Sequence, residues 1–117
     1  MTALKAALGP AWRETAVLVV TEFGRTARMN GTRGTDHGTA TVAFLIGGRV
    51  AGGRVRATWP ELSPQQLFHK RDLAPTADTL ALAKGALAEQ FGFFEPALAL
   101  IFPGTQAGEA MRGLLRS

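Results

Sequence analysis

An acid-and-histidine pattern occurs in the stretch TEFGRTARMNGTRGTDHG, which spans residues 21–38. Glu22 directly follows an apolar run, and Asp36 and His37 end the glycine-rich stretch that comes after it. Imidazole is the commonest nitrogen ligand for a divalent metal, and a carboxylate either binds such a metal directly or orients the imidazole. Glu22, Asp36 and His37 therefore predict part of a site for zinc, manganese or magnesium. A metal there would polarise a phosphoryl or sulfuryl oxygen, or hold an attacking nucleophile.

Arginine side chains in the same stretch supply positive charge close to these candidates. Arg25 follows the apolar run closely, and Arg28 and Arg33 lie further along the loop. Guanidinium groups suit bidentate capture of phosphate, sulfate or carboxylate. We expect Arg25 to contact an anionic group, whereas the other arginines are equally well explained as solvated side chains.

The same residues also have a purely structural interpretation. Glu22 then forms an ion pair with Arg25 or Arg28, and Asp36 closes an Asx turn in the loop. His37 is then a loop histidine that is hydrogen-bonded to the backbone. Residue types and spacing alone leave both interpretations open.

Length and composition bound the classes of protein that the chain can belong to. Its 117 residues fit one domain over residues 1–117, and 46% hydrophobic against 19% charged residues indicates a folded chain. No apolar run approaches the roughly 20 residues of a membrane span, and no signal peptide is visible. The absence of cysteine removes disulfides and thiolate sites. The net charge is +4, but no nucleic-acid-binding motif accompanies it, so we predict no nucleic-acid partner.

No catalytic nucleophile can be assigned within the chain. The two serines, Ser63 and Ser117, lie outside any GxSxG elbow. His69, in the stretch FHKRD, is expected at the surface rather than as a metal ligand.

The elements that must position these residues alternate between helix and strand. We predict a helix over Thr2–Leu8 and two buried strands over Ala16–Thr21 and Thr41–Ile46, the first of them parallel to its neighbour. Residues 24–38 should form a loop, and the repeated Gly-Gly-Arg-Val unit at residues 47–55 predicts a hairpin. The site loop would then leave the carboxyl end of a strand, where open α/β sheets place their sites.

The second half of the chain predicts an irregular segment followed by helices. Three prolines prevent a long helix over residues 59–75, and Thr76 can cap the helix that ends before Gly92. One face of that helix is expected in the core, and a last short helix is expected from about Ala107 to Leu115. The residues of that face are Leu80, Ala83, Leu87 and Phe91, and the aromatic residues expected to anchor the C-terminal segments are Phe91, Phe93, Phe94 and Phe102.

Several motifs occur in an order that resembles a known family. They are VLVVTEFGRT, then GTDHGT, GGRVAGGRV, WPEL and DLAPTADT, with FPG near the end. This series covers nearly the whole chain and resembles the C-terminal part of the domain-of-unknown-function family 1501. Members of that bacterial family look like relatives of sulfatases and alkaline phosphatases. TEFGRT followed by GTDHG is the most specific part of the resemblance.

The wider superfamily resemblance implies roles for particular positions. Its phosphomutase members carry a Thr-x-Asp-His-Gly motif and, later, Gly-Thr-Asp-His. The first motif falls on residues 20–24, which puts Glu22 in the place of a metal-binding aspartate and Phe23 in that of a metal-binding histidine. The second falls on residues 34–37 and makes His37 a metal ligand. A phenyl ring cannot ligate, so one metal, a different arrangement and no metal at all are open alternatives.

The resemblance implies a metal-dependent hydrolase of phosphate or sulfate esters. Its fold would be α/β, the C-terminal portion of an alkaline-phosphatase-like α/β/α sandwich. Such hydrolases carry the nucleophile and further metal ligands in an N-terminal half. We therefore expect a fragment with an incomplete sheet that is inactive alone and has the missing N-terminal half as its partner.

The resemblance also implies a substrate class, a location and an alternative. The substrate would be an anionic small-molecule or polymer ester, contacted by Arg25 and Asn30. Export of family members implies a periplasmic or extracellular location. The alternative, which Phe23 favours, is a non-catalytic binding or surface-associated module that retains the sulfatase-like fold.

Overall fold

The structure is a computed structural model, and it describes residues 1–105 and 109–117. The predicted α/β class with an incomplete sheet is confirmed, since helices accompany two separate two-stranded sheets in these residues. The chain divides into two compact units. Unit 1 comprises Met1–Val19, Phe44–Arg54 and Thr79–Ser117, and unit 2 comprises Val20–Ala43 and Val55–Asp78. The assignment of residues 1–117 to a single domain stays a prediction.

The helices among the described residues belong to unit 1, and two of the four were predicted from the sequence. They are α1 (Thr2–Leu8), a short 3-10 helix (Gly9–Glu14), α2 (Thr79–Phe91) and α3 (Glu95–Ile101). The end of α1 before Gly9 and that of α2 before Gly92 are as predicted, whereas α2 begins later than Thr76. The helix predicted from Ala107 begins outside the described residues, and residues 109–115 are not helical.

The sheet of unit 1 pairs β1 (Val17–Val19) with β4 (Phe44–Ile46). Both strands were predicted, but they are shorter than expected and run antiparallel, with Val17 opposite Ile46 and Val19 opposite Phe44. The prediction of a parallel strand buried on both faces is therefore wrong. Antiparallel strands commonly leave one face in water. Accordingly, Val19 is 45% and Phe44 52% exposed.

The core of unit 1 forms where the chain after β4 meets the C-terminal segment. Val50, Leu114 and Leu115 are buried there, and Val50 and Leu115 form an antiparallel bridge. The amide of Ala51 donates to the carbonyl of Leu114 at 2.8 Å. The hairpin predicted for residues 47–55 is therefore wrong, because this segment pairs with a distant part of the chain instead of with itself.

The buried face of α2 consists of small residues and one lysine, not of the large apolar residues that its periodicity indicates. It is formed by Ala81, Lys84 and Gly85. A Cβ on Gly85 would lie 2.1 Å from the carbonyl oxygen of Met111, so the C-terminal segment approaches the helix more closely than any side chain would allow. The predicted face is only half-buried, and its last member, Phe91, is 62% exposed. Two further predicted anchors, Phe93 and Phe94, are also exposed.

Unit 2 holds the predicted site loop and has little regular structure. It contains β2 (Gly24–Arg25) and β3 (His37–Gly38), which pair antiparallel. Gly24, Thr26, Leu67 and Asp72 are its buried residues among those described. The irregular path predicted for residues 59–75 is confirmed, apart from isolated bridges that Asp72 makes.

Candidate functional site

Close backbone packing between β2 and β3 fixes the two ends of the site loop. Gly24 lies opposite Gly38, and Arg25 lies opposite His37. A Cβ on Gly24 would meet backbone atoms of residues 39 and 40 at 2.3 Å, and one on Gly38 would meet the Arg25 carbonyl at 2.6 Å. Only glycine fits such an approach without moving the backbone. The glycines thus hold Arg25 beside His37.

Asn30 organises the inside of the loop. Its Oδ1 accepts hydrogen bonds from the amides of Thr32 at 3.0 Å and Gly34 at 2.9 Å, and from the Thr32 hydroxyl at 2.9 Å. Its Nδ2 donates to Oδ1 of Asp36 at 2.9 Å. Both polar atoms of the side chain are therefore engaged within the loop. The role of Asn30 as a substrate contact stays a prediction.

The guanidinium of Arg25 is held against the far side of the same loop. Its Nε donates to Oγ1 of Thr35, and its Nη2 donates to the Thr35 carbonyl, both at 2.7 Å. The side chain remains exposed, and no described residue accepts a hydrogen bond from Nη1. Arg25 is thus fixed in position with N–H groups still facing solvent.

Ring stacking orients His37. The imidazole lies on the ring of Phe23 with centroids 4.4 Å apart and planes 18° apart. Stacking occupies the faces of the imidazole, whereas metal coordination uses nitrogen lone pairs in its plane. No described residue hydrogen-bonds either ring nitrogen of His37. Phe23, which resemblance puts in the place of a metal-binding histidine, therefore supports the neighbouring imidazole.

Glu22 is also unpaired, so the alternative prediction of an ion pair with Arg25 or Arg28 is wrong. Its exposed carboxylate forms no hydrogen bond or ion pair with any described residue, including Arg25 and Arg28. Asp36 does not close an Asx turn of its own but accepts the hydrogen bond from Asn30. Two of the three predicted metal ligands thus keep their ligating atoms open to solvent.

These three residues do not make a complete metal site. Within residues 1–105 and 109–117, no three His, Asp or Glu side chains form a group that could hold a metal ion. One carboxylate oxygen of Asp36 is already engaged with Asn30. Glu22, Asp36 and His37 are therefore not brought together as a three-ligand group, and their ligand roles stay predictions.

A segment that sequence reasoning did not include in the site lies beside β2. Its residues Phe68 and Asp72 exchange both backbone hydrogen bonds at 3.0 Å, forming a tight hairpin. The amide of Ala27 donates to the Arg71 carbonyl at 3.0 Å, and that of Leu73 donates to the Arg25 carbonyl at 3.2 Å. The hairpin therefore supports β2 along its free edge.

Asp72 is the buried centre of this support. Its Oδ1 accepts from Nε of Arg71 at 2.6 Å, and its Oδ2 accepts from the hydroxyl of Thr39 at 2.9 Å. The Arg71 hydrogen bond holds the pKa of Asp72 below its usual range, against the opposing effect of burial. The same bond raises the pKa of Arg71. The neighbouring Arg71 and Asp72 in KRDLAP indicate an ion pair from the sequence alone. The sequence does not indicate that Asp72 lies beside β2 and β3.

Arg71 connects the hairpin to the site loop. Its Nη2 lies 3.4 Å from the carbonyl oxygen of His37, and its charge also interacts with that of Asp36. The loop carrying His37 and the hairpin carrying Arg71 therefore form one continuous surface of unit 2.

Fold and site together define a mixed α/β protein with a hydrogen-bonded loop that presents an open carboxylate, an open imidazole and a fixed guanidinium. The chain belongs to the family described as "Protein of unknown function (DUF1501)", whose model matches residues 1–96. This confirms the family part of the resemblance. Searches of curated proteins and of solved structures found no match. Among the described residues, no helix is both long and apolar enough to cross a membrane.

Proposed function

We propose that this chain forms part of the site of a metal-dependent hydrolase of phosphate or sulfate esters. The observation that carries the proposal is that Glu22 and His37 keep their ligating atoms open while the loop around them is tied by hydrogen bonds. Ligands that are positioned before binding avoid much of the ordering cost of binding. The resemblance to sulfatases and alkaline phosphatases adds the reaction class.

In this proposal each loop residue has one task. The metal ligands from this chain are Glu22, Asp36 and His37. Further ligands and the nucleophile are supplied by residues outside these 117. Arg25 donates its free N–H groups to a non-bridging oxygen of the ester. Asn30 lies beside the substrate and holds the loop in shape through its hydrogen bonds. The chain alone is then inactive, and its substrate is an anionic small-molecule or polymer ester.

A non-catalytic binding module is the second candidate function. It is favoured by Phe23, which stacks on His37 at a position where the resemblance expects a metal ligand. It is also favoured by the lack of a three-ligand group among the described residues. Both candidates use Arg25 for anion recognition, and they differ in whether a metal is bound. For both we propose a periplasmic or extracellular location, which cell fractionation would test.

Metal content of the protein purified from its native host tests the proposal. We expect about one equivalent of zinc, manganese or magnesium by mass spectrometry, lost in His37→Asn. The matched control is His69→Asn, because His69 is also exposed and also packs on a phenylalanine, Phe68, with centroids 4.1 Å apart. Metal that survives His37→Asn would overturn the ligand assignment. Wild-type protein without stoichiometric metal would favour the binding module.

A further inference from the structure

The hairpin beside the site loop turns through residues that are conformationally costly at its tip. Between Phe68 and Asp72 the chain reverses over residues 69–71, here called the hairpin tip. His69 has φ 50° and Lys70 has φ 58°, so both occupy the left-handed region. Residues with a Cβ adopt this region at a cost, and glycine or asparagine is the usual occupant. The tip therefore carries two side chains at positions where glycine would cost less free energy.

The side chains at the tip are all basic. His69, Lys70 and Arg71 are consecutive and exposed. The Lys70 ammonium has no hydrogen bond or ion pair with any described residue. The His69 ring is oriented by edge-to-face packing on Phe68, with planes 71° apart. The His69 ring is thus held by its packing on Phe68, whereas the Lys70 side chain extends into solvent without a polar contact.

The acids around the tip act mainly on Arg71, although the charge of Asp72 also interacts with His69. Asp72 is buried and already accepts hydrogen bonds from Arg71 and Thr39. Asp36, whose charge reaches Arg71, accepts a hydrogen bond from Asn30. Arg71 turns back toward Asp72 and the His37 carbonyl, which leaves His69 and Lys70 as the outward-facing N–H donors of the tip.

We propose that His69 and Lys70 form an oxyanion-binding element for phosphate or sulfate groups, beside the loop that carries His37. Strained backbone positions cluster at ligand-binding sites, which makes the hairpin tip, with two consecutive left-handed residues, a candidate. The left-handed turn at residues 69 and 70 leaves both side chains exposed on the outside of the hairpin, where their N–H groups can donate to an oxyanion. The proposal deepens the proposed function, since it supplies a second contact for the anionic ester, but anion binding at the tip needs no metal.

Titration with inorganic phosphate, and separately with sulfate, tests this element in the 117-residue chain. Amide shifts are followed by NMR at constant ionic strength and with EDTA present. We expect saturable shifts for residues 68–72. Lys70→Gly should weaken phosphate binding roughly threefold or more, because it removes a charge-assisted contact. The same substitution should raise Tm by a few degrees, because it relieves a left-handed side chain.

Arg33→Gly is the matched control. Arg33 is also basic, exposed and left-handed, with φ 63°, and it lies in the same unit. Both variants should gain stability, but only Lys70→Gly should lose phosphate affinity. Lys70→Asn, which also tolerates the left-handed region, serves as the second variant. Equal weakening by Arg33→Gly, or no shifts at residues 68–72, would overturn the proposal. Because EDTA is present, shifts at residues 68–72 test the tip independently of any metal, whereas failure of the metal-dependent hydrolase would show in the metal content of the purified protein.

Discussion

The carboxylate of Glu89 holds the C-terminal segment of unit 1 in place, and its removal should have a large local effect. It accepts hydrogen bonds from the amides of Gly113 at 2.5 Å, Leu114 at 2.8 Å and Leu115 at 2.7 Å. Leu114 is 5% and Leu115 9% exposed, and with Val50 they form the core cluster. We predict that Glu89→Gln destabilises unit 1 without changing the shape of the side chain.

The magnitude follows from the number of acceptors lost. Glutamine keeps one oxygen, which can serve two of the amides, but it turns an NH2 group toward the third. A hydrogen bond to a charged group contributes about 1.5–3 kcal/mol and a neutral one about 0.5–1.5 kcal/mol. Loss of one bond and of the charge on the other two gives about 3.5–5 kcal/mol, which the partial exposure of Glu89 to water reduces to about 2–4 kcal/mol. Such a change is a large part of the stability of a small protein.

Hydrogen exchange at the amides of Leu114 and Leu115 measures this effect directly, with urea unfolding as the global measurement. A loss of about 2 kcal/mol lowers protection by about 30-fold or more, since 1.4 kcal/mol corresponds to a factor of ten. The control is Glu109→Gln, the same change at an exposed acid. It should alter stability by less than about 0.5 kcal/mol. Equal protection of Leu114 and Leu115 in the two variants would refute the role of Glu89.

Two further predictions concern α2 and the hairpin of unit 2. Gly85→Ala normally favours a helix by about 1 kcal/mol, but here its methyl group would lie 2.1 Å from the Met111 carbonyl oxygen, so we expect a loss of about 2 kcal/mol or more in urea unfolding. A gain would show that the C-terminal segment does not rest on α2. The lowered pKa of Asp72 means that its carboxylate stabilises the fold at neutral pH, and that this contribution is lost as pH falls from about 4 through the lowered pKa. Stability measured against pH should therefore converge for wild type and Asp72→Asn in acid, and parallel curves would contradict the assignment.

Helix ends could be predicted from the sequence because their signals are local. α1 ends before Gly9 and α2 before Gly92, as expected from glycine at these positions. The inward face of α2 could not be predicted in the same way. Periodicity predicts that the large apolar residues are buried. The C-terminal segment instead packs on Ala81 and Gly85, because small residues allow its close approach. Which face is buried thus depended on a partner far away in sequence.

The strands show the same limit. An apolar run predicts that β1 and β4 exist, but it contains no information about their relative direction. Their antiparallel pairing and half-exposed faces follow from the partner that each strand finds. The Gly-Gly-Arg-Val repeat indicated a local hairpin, yet Val50 pairs with Leu115 near the end of the chain. Local turn signals cannot show that a segment distant in sequence will pair with these residues instead.

For the candidate site, residue types were predictable and their contacts were not. Glu22, Asp36 and His37 could be selected because only a few side chains ligate metals. The hydrogen bonds of Asn30 and the stacking of Phe23 depend on a loop path that the sequence does not encode in any simple pattern.

The polar side chains of unit 2 fall into two groups: some form hydrogen bonds that hold the unit together, and others face solvent. Both polar side-chain atoms of Asn30 and of Asp72 form hydrogen bonds within the unit. The glycines of β2 and β3 let the two backbones approach closely. Glu22, His37 and Lys70 lie on the same framework without polar partners among the described residues. Exposed groups lose little by remaining hydrated, so their lack of partners does not by itself indicate binding. Their attachment to a framework whose own polar groups are satisfied does favour it, because the backbone that carries these groups is already ordered before a ligand binds.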